Sequence, residues 1–182
     1  MSGVHIMVDL ETMGSTPGCA IASIGAVVFD PLQPVTGATF YRLVDLATCK
    51  SAGLTFDPDT IVWWLKQSAE ARSELTGGGG VHIGQALQDF GQWWREQDGR
   101  FIWGHGANFD EPVLGAAYRA LHISPPWDFW NARCTRTVYD LADVKPDRAA
   151  GTHHKAVDDA VAQALAVSAA YRKLGMAKAA LP

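Results

Sequence analysis

His5-Ile-Met-Val-Asp-Leu-Glu-Thr-Met-Gly14 is the stretch whose reading decides the fold. A short apolar run delivers two carboxylates, Asp9 and Glu11, to one end of a strand, and residues i and i+2 of a strand share a face. Two acids side by side in a buried setting repel each other and resist ionisation. A fold keeps them there only with positive charge between them, and a divalent cation is the simplest source. The other reading is a solvated strand end with two surface acids, since acids are mostly exposed. The pair alone leaves both readings open.

Working outward, Val4 to Val8 reads as a central strand that leaves into a loop at Gly14, Pro17 and Gly18. Ala20 to Phe29 resumes strand character, Asp30-Pro31 marks a turn, and Thr39 to Val44 makes a third strand, so the start of the chain is an antiparallel meander. Asp57 then suits an N-cap and Pro58 the first helical position, with Ile61, Trp64 and Leu65 at helical spacing in a helix running to about Ala71. Gly77 to Gly80 has neither phosphate-loop pattern and follows a helix instead of a strand, which favours a flexible linker. Ile83, Leu87, Phe90 and Trp94 make one apolar helix face, closed by Asp98-Gly99. In Trp63-Trp64 and Trp93-Trp94, neighbours on a helix point in different directions, so at least one of each pair belongs to the core and not to a base-stacking platform.

Arg100 to Trp103 is a strand closed by Gly104, after which Ala107 to Pro112 opens a helix with Val113, Ala117 and Leu121 on its apolar face. A further acid, Asp110, thus falls at a strand-to-helix junction. Phe129 to Cys134 reads as a short strand, Thr135 to Ala142 as a helix, and Lys145 to Gly151 as a polar loop. His153-His154-Lys-Ala-Val-Asp158-Asp159 opens the last helix, whose apolar positions are Val157, Val161, Ala164, Val167 and Tyr171.

The whole chain sets bounds on what this arrangement can be. Its 182 residues, 48% hydrophobic and 19% charged, fit one globular domain over 1–182 with a sizeable core. No apolar run reaches membrane-spanning length and the N-terminus lacks signal-peptide character, so a cytoplasmic protein without a membrane partner is expected. Cys19, Cys49 and Cys134 show no CxxC spacing and are expected as buried or half-buried thiols. A formal net charge of -4 excludes affinity through a broad basic surface but leaves room for an enzyme that grips only a strand end.

The motifs DLET (Asp9 to Thr12), ANFD (Ala107 to Asp110) and HKAVDDA (His154 to Ala160), in that order, resemble the DEDDh (DnaQ-like) 3'-5' exonucleases. WGHGANFD, the segment Arg133 to Thr137 and HKAVDDA look most like the branch holding exonuclease VIII-like, phage exonuclease A-like and mycobacterial 3'-5' exoribonuclease proteins. The resemblance implies an α/β, ribonuclease H-like fold: a mixed five-stranded sheet of three antiparallel strands then two parallel, flanked by helices. It implies release of nucleoside 5'-monophosphates from single-stranded or overhanging 3' ends of DNA or RNA. Two divalent cations, Mg²⁺ or Mn²⁺, suit such hard oxygen ligands. Asp9, Glu11, Asp110 and Asp159 are then the metal ligands and His154 the general base, a task its near-neutral pKa allows. His153 and Asp158 share the five-residue spacing, but the family text aligns His154 and Asp159 with its histidine and acid. Leu10 and Met13 are expected as an apolar wedge against the terminal base, the Thr12 backbone against the terminal sugar, and Asn108 as a substrate contact. Many relatives carry Asn four residues before the second-motif acid, where this chain has Gly106. Rival readings are a hydrolase of dinucleotides or very short oligonucleotides and a non-catalytic nucleic-acid-binding module. The family includes homodimers, and oligomeric state stays open.

Overall fold

The order and chemistry of the strands build the sheet from its middle outward in this computed structural model, which describes residues 3–76, 78–146 and 154–176. β1 (Val4–Thr12) is central and nearly continuous in apolar residues because both of its faces are covered. It runs antiparallel to β2 (Ile21–Phe29), which pairs antiparallel with β3 (Thr36–Leu43). On its other side β1 runs parallel to β4 (Gly99–Gly104), and β4 runs parallel to β5 (Ala132–Cys134). The order β3-β2-β1-β4-β5 gives the mixed ribonuclease H-like sheet of three antiparallel strands and two parallel ones.

The period of two along β1 sorts its side chains into two cores. Ile6, Val8 and Leu10 join the larger one, packed by α4 (Ile83–Glu96), α5 (Asp110–Ala120) and Trp127. The stripe Ile83, Leu87, Phe90, Trp94 is fully buried there, as its spacing indicates. Met7, with Val27, Phe29, Phe101 and Trp103, faces α7 (Ala156–Lys173) and Tyr139 of α6 (Thr135–Ala142). Inside this second core the Trp103 indole N–H donates to His5 Nδ1 at 2.9 Å, which satisfies both polar atoms. Cys19 and Cys49 are buried and Cys134 half-buried, all as free thiols. Among the described residues no helix is long and apolar enough to cross a membrane.

Several local expectations change. The helix expected from Asp57 to about Ala71 is two: α2 (Pro58–Leu65), capped by the Asp57 carboxylate on the Asp59 N–H, and α3 (Ala69–Thr76). Lys66 and Gln67 turn their N–H groups back to the Trp63 and Trp64 carbonyls, and the Ser68 hydroxyl accepts from the Ala71 N–H to start the next helix. A six-residue α1 (Leu46–Ser51), capped by Asp45, precedes them and is too short to show periodicity. Phe129–Asn131 is a 3-10 turn, so only Ala132–Cys134 remains as strand. Of the glycine run, Gly80 lets the backbone pass against Asp45; a methyl there would meet the Asp45 nitrogen at 2.7 Å. Gly80 is therefore a tight crossing, followed by Val81 bridged to Val44. Residues 147–153, which hold most of the polar loop read at Lys145 to Gly151 and also His153, lie outside the described residues.

α7 is seated by backbone packing. Ala156, Ala160 and Ala164 place small side chains on one face, and the first turn rests directly on Gly25 of β2. A methyl at Gly25 would sit 2.2 Å from both the Ala156 carbonyl carbon and the Val157 nitrogen. Gly25 is the cross-strand partner of Asp9. The contact that seats α7 thus also brings its first turn to the acid end of β1. Gly25→Ala is expected to lower stability by about 1–3 kcal/mol through overpacking. Gly37→Ala, whose methyl would approach nothing nearer than the Val28 side chain at 3.4 Å on the exposed edge strand, is the control and should stay within about 0.5 kcal/mol of the parent. Urea denaturation of both variants checks the contact, and equal midpoints would show that α7 does not rest on Gly25.

Candidate active site

Three separate parts of the fold bring acids to one place. β1 ends with Asp9 and Glu11 on the α7 face, and its register breaks between Glu11 and Thr12. β4 leads to Asp110, the first residue of α5, and α7 carries Asp159 in its first turn. The site lies beyond the carboxyl ends of the parallel strands β1 and β4, where open α/β sheets form their crevices. Asp9, Leu10, Glu11, His105, Pro146, His154, Asp159, Ala162 and Gln163 line a cleft of about 160 Å³. That holds a handful of water-sized groups, since a water takes about 30 Å³ of liquid volume.

The backbone holds these carboxylates in place. Asp110, 1% exposed, accepts from the His105 N–H at 2.6 Å and the Leu10 N–H at 3.3 Å, and so ties the end of β1 to the loop after β4. Asp159 accepts from the His154 backbone N–H at 3.1 Å. This bond closes the five-residue spacing of the motif, with His154 in a left-handed conformation at φ 66°. Ligating atoms of Glu11, His154 and Asp159 all lie within 4.8 Å of one another. The His154 ring stands edge-on to Trp63 and Trp64, with centroids at 5.0 and 5.9 Å. Trp64 is itself fixed by an indole N–H bond to the Thr12 carbonyl.

This crowding is electrostatically costly. Burial first, and then the charges of Asp110, Glu11 and Asp159, push the half-buried Asp9 well above the usual carboxylate range, against a lowering by its bond from Gln163. Burial likewise pushes Asp110 up to about 6, although the His105 and Leu10 N–H groups favour its charged form. Two buried side-chain atoms among the described residues have no hydrogen-bond partner, the Ser23 hydroxyl and Gln163 Oε1. Ser23 is the cross-strand partner of Glu11, and Gln163 bonds Asp9, so both lie at this cluster. Hard oxygen donors, excess negative charge and unmet polar atoms together fit a hydrated divalent cation.

The residues singled out in the sequence divide clearly. Asp9, Glu11, His154, Asp159 and Leu10 line the cleft, and Asp110 adjoins it through the Leu10 N–H. Thr12 is buried, its hydroxyl on the Gly14 carbonyl and its own carbonyl taken by Trp64. Met13 sits in the larger core, its backbone held by Ala20 and Asp57, and does not line the cleft beside Leu10. The turn after the register break carries it inward. Asn108 is exposed and outside the cleft lining. Gln163 and the Trp63 ring were not singled out for the site. The position of Gln163 one helical turn after Asp159, on a face otherwise lined by alanines, was the signal for it.

The chain is a nuclease domain built on this mixed five-stranded sheet, of a class of hydrolases that acts on nucleic acids. Residues 4–171 match the 3'-5' exoribonuclease Rv2179c-like domain, and the chain belongs to that family. It is 30% identical over 161 residues to the exodeoxyribonuclease of Enterobacteria phage T4, a match covering 72% of this chain and 68% of that one. Among solved structures it shares its fold with exonuclease X in complex with 5' overhanging duplex DNA (TM-score 0.58, 16% identity, 94% of this chain and 93% of that one). The nuclease domain of 3'hExo, a DEDDh family member bound to rAMP, gives a TM-score of 0.61 at 12% identity, covering 97% and 95%. The zinc-bound complex of E. coli exonuclease I with single-stranded DNA gives 0.61 at 15% identity; the match covers 96% of this chain and 40% of that longer one.

Repulsion among the acids has a measurable sign. Without a cation the folded Asp110 keeps its proton to about pH 6, whereas the unfolded chain releases it near pH 4, so stability falls as pH rises through that window. Asp9→Asn removes a facing charge while keeping an oxygen for the Gln163 amide. In chelator it should stabilise the protein by on the order of 1 kcal/mol at about pH 7.5 and by little at about pH 4. Urea unfolding at both pH values checks this, and equal gains at both would show that the acids do not repel one another.

Proposed function

We propose that the chain is a divalent-cation-dependent 3'-5' exonuclease that hydrolyses single-stranded or overhanging 3' ends of DNA or RNA to nucleoside 5'-monophosphates. The observation that carries it is the convergence of Asp9, Glu11, Asp110 and Asp159 with the His154 ring at the end of β1. These four carboxylates would hold two cations, Mg²⁺ or Mn²⁺, which supply charge neutralisation at the scissile phosphate and acidify a bound water.

The chain's own residues account for the rest. His154 takes the proton of the attacking water; its ring lies within reach of Glu11 and Asp159 and is braced by two indoles. The water oxygen bonds to phosphorus, the bond from phosphorus to the 3'-oxygen breaks, and that oxygen leaves with a proton from solvent. The Leu10 N–H bond to Asp110 couples the strand beneath the cleft to the acid on α5. Leu10 itself gives the cleft an apolar side suited to a nucleobase. The formal charge of -4 fits a grip confined to the strand end, since broad contact with phosphates requires many Lys and Arg.

The test is digestion of 5'-labelled and 3'-labelled single-stranded DNA and RNA, with dinucleotides alongside, in Mg²⁺, Mn²⁺ or chelator. The 3' label should leave at once as a mononucleotide and the 5' label should shorten stepwise, with no reaction in chelator. Asp9→Asn should abolish turnover, and His154→Ala should slow it by about 10²- to 10⁴-fold. Internal cuts, or full activity of Asp9→Asn, would overturn the proposal. Cleavage of dinucleotides alone would assign the site to very short substrates.

A further inference from the structure

Gln163 is 8% exposed on the cleft side of α7, one turn beyond Asp159. Its Nε2 donates to Asp9 Oδ1 at 2.7 Å, while its Oε1 is buried with no partner. The amide nitrogen is the atom that faces Asp9, the orientation that suits the ionised carboxylate a bound cation would favour. Its backbone is anchored as well: the Tyr139 hydroxyl donates to the Gln163 carbonyl at 2.8 Å and pins this turn of α7 to α6. Tyr139 in turn packs its ring at 5.8 Å from His105, whose N–H holds Asp110. The helix turn that carries the side chain is thus fixed, and Oε1 is buried on it without a partner. A buried amide oxygen left unpaired beside an acid cluster destabilises the fold unless something enters to use it.

Resting on the cation-dependent reading above, we propose that Gln163 is a positioning residue of the acidic centre. Its Nε2 fixes the Asp9 carboxylate so that the other oxygen stays available for a cation. Its unpartnered Oε1 accepts a hydrogen bond from a water that arrives on that cation. Partners of ligating groups set orientation in this way and commonly change affinity when removed. Neither the DLET, ANFD and HKAVDDA motifs nor the five acid and histidine roles include this residue.

The test is Gln163→Met, which keeps length and bulk but removes both donor and acceptor. Free Mn²⁺ is titrated into the full chain and followed by electron paramagnetic resonance, with thermal unfolding in chelator as a check on folding. The variant should melt at or above the wild-type temperature in chelator, because it buries no unmet amide. It should bind Mn²⁺ about tenfold more weakly. On oligonucleotide its kcat should fall at low Mn²⁺ with KM unchanged, and return toward wild type at saturating Mn²⁺. Gln163→Leu should behave alike, which covers a failure of the Met variant to pack. Mn²⁺ affinity within twofold of wild type in a folded variant would overturn the role of Gln163 and leave the exonuclease reading standing. A wild-type protein that binds no Mn²⁺ would overturn both.

Discussion

The backbone contact between the first turn of α7 and Gly25 governs the rest of the molecule. Strand β2 can bring a helix this near only where it has no side chain, and Gly25 lies directly across from Asp9. The acid end of β1 and the helix carrying Asp159 are therefore set by one contact. His154 follows from it, because its backbone N–H is tied to the Asp159 carboxylate. Asp110 comes from the other side of β1 and is fixed independently by Leu10 and His105. Two unrelated devices, a close helix crossing and a carboxylate bridging two backbone N–H groups, thus converge on a single strand end.

That convergence conflicts with what buried carboxylates favour. Desolvation raises both Asp9 and Asp110, neighbouring carboxylates raise Asp9 further, and the N–H donors that lower them do not offset the burial. The surrounding cores are where stability is supplied. Trp103, Phe29 and Tyr171 pack against one face of the sheet, and Phe90, Trp94 and Trp127 against the other. Burial of each such ring contributes about 1.5–3 kcal/mol, enough together to hold a cluster that would otherwise spread apart.

Much of this was legible in the sequence because it is carried by pattern. The apolar run of β1, the four-residue stripe of α4 and the cap at Asp57 each leave a local signature, and each forms as read. Asp9, Glu11, Asp110 and Asp159 were legible as acids at element ends. The split at Lys66–Ser68 was not, since it depends on two tightened turns and a serine hydroxyl within an otherwise helical pattern. The burial of Met13 was not legible for a different reason: a register break falls just before it, between Glu11 and Thr12, and no periodicity encodes it. Gln163 lies on a helix face whose other members are alanines, and its partner Asp9 is 154 positions away in the chain. An amide one turn after Asp159 marks the position, but nothing local names the residue it pairs with.

The character of the cleft also bears on how an acidic protein can approach a polyanion. Its walls combine carboxylates with Leu10, and the indole of Trp63, 43% exposed, stands against His154. Without counter-charge such a surface repels phosphate, and with it the same acids become an anchor for one phosphate group. Under the proposed function, affinity would then depend on a single reacting position and on apolar contact beside it, not on a track of basic residues along the strand. Under the proposed exonuclease function, such a cleft would favour chain termini over internal sites, because a terminus alone can enter without carrying further phosphates past the acids.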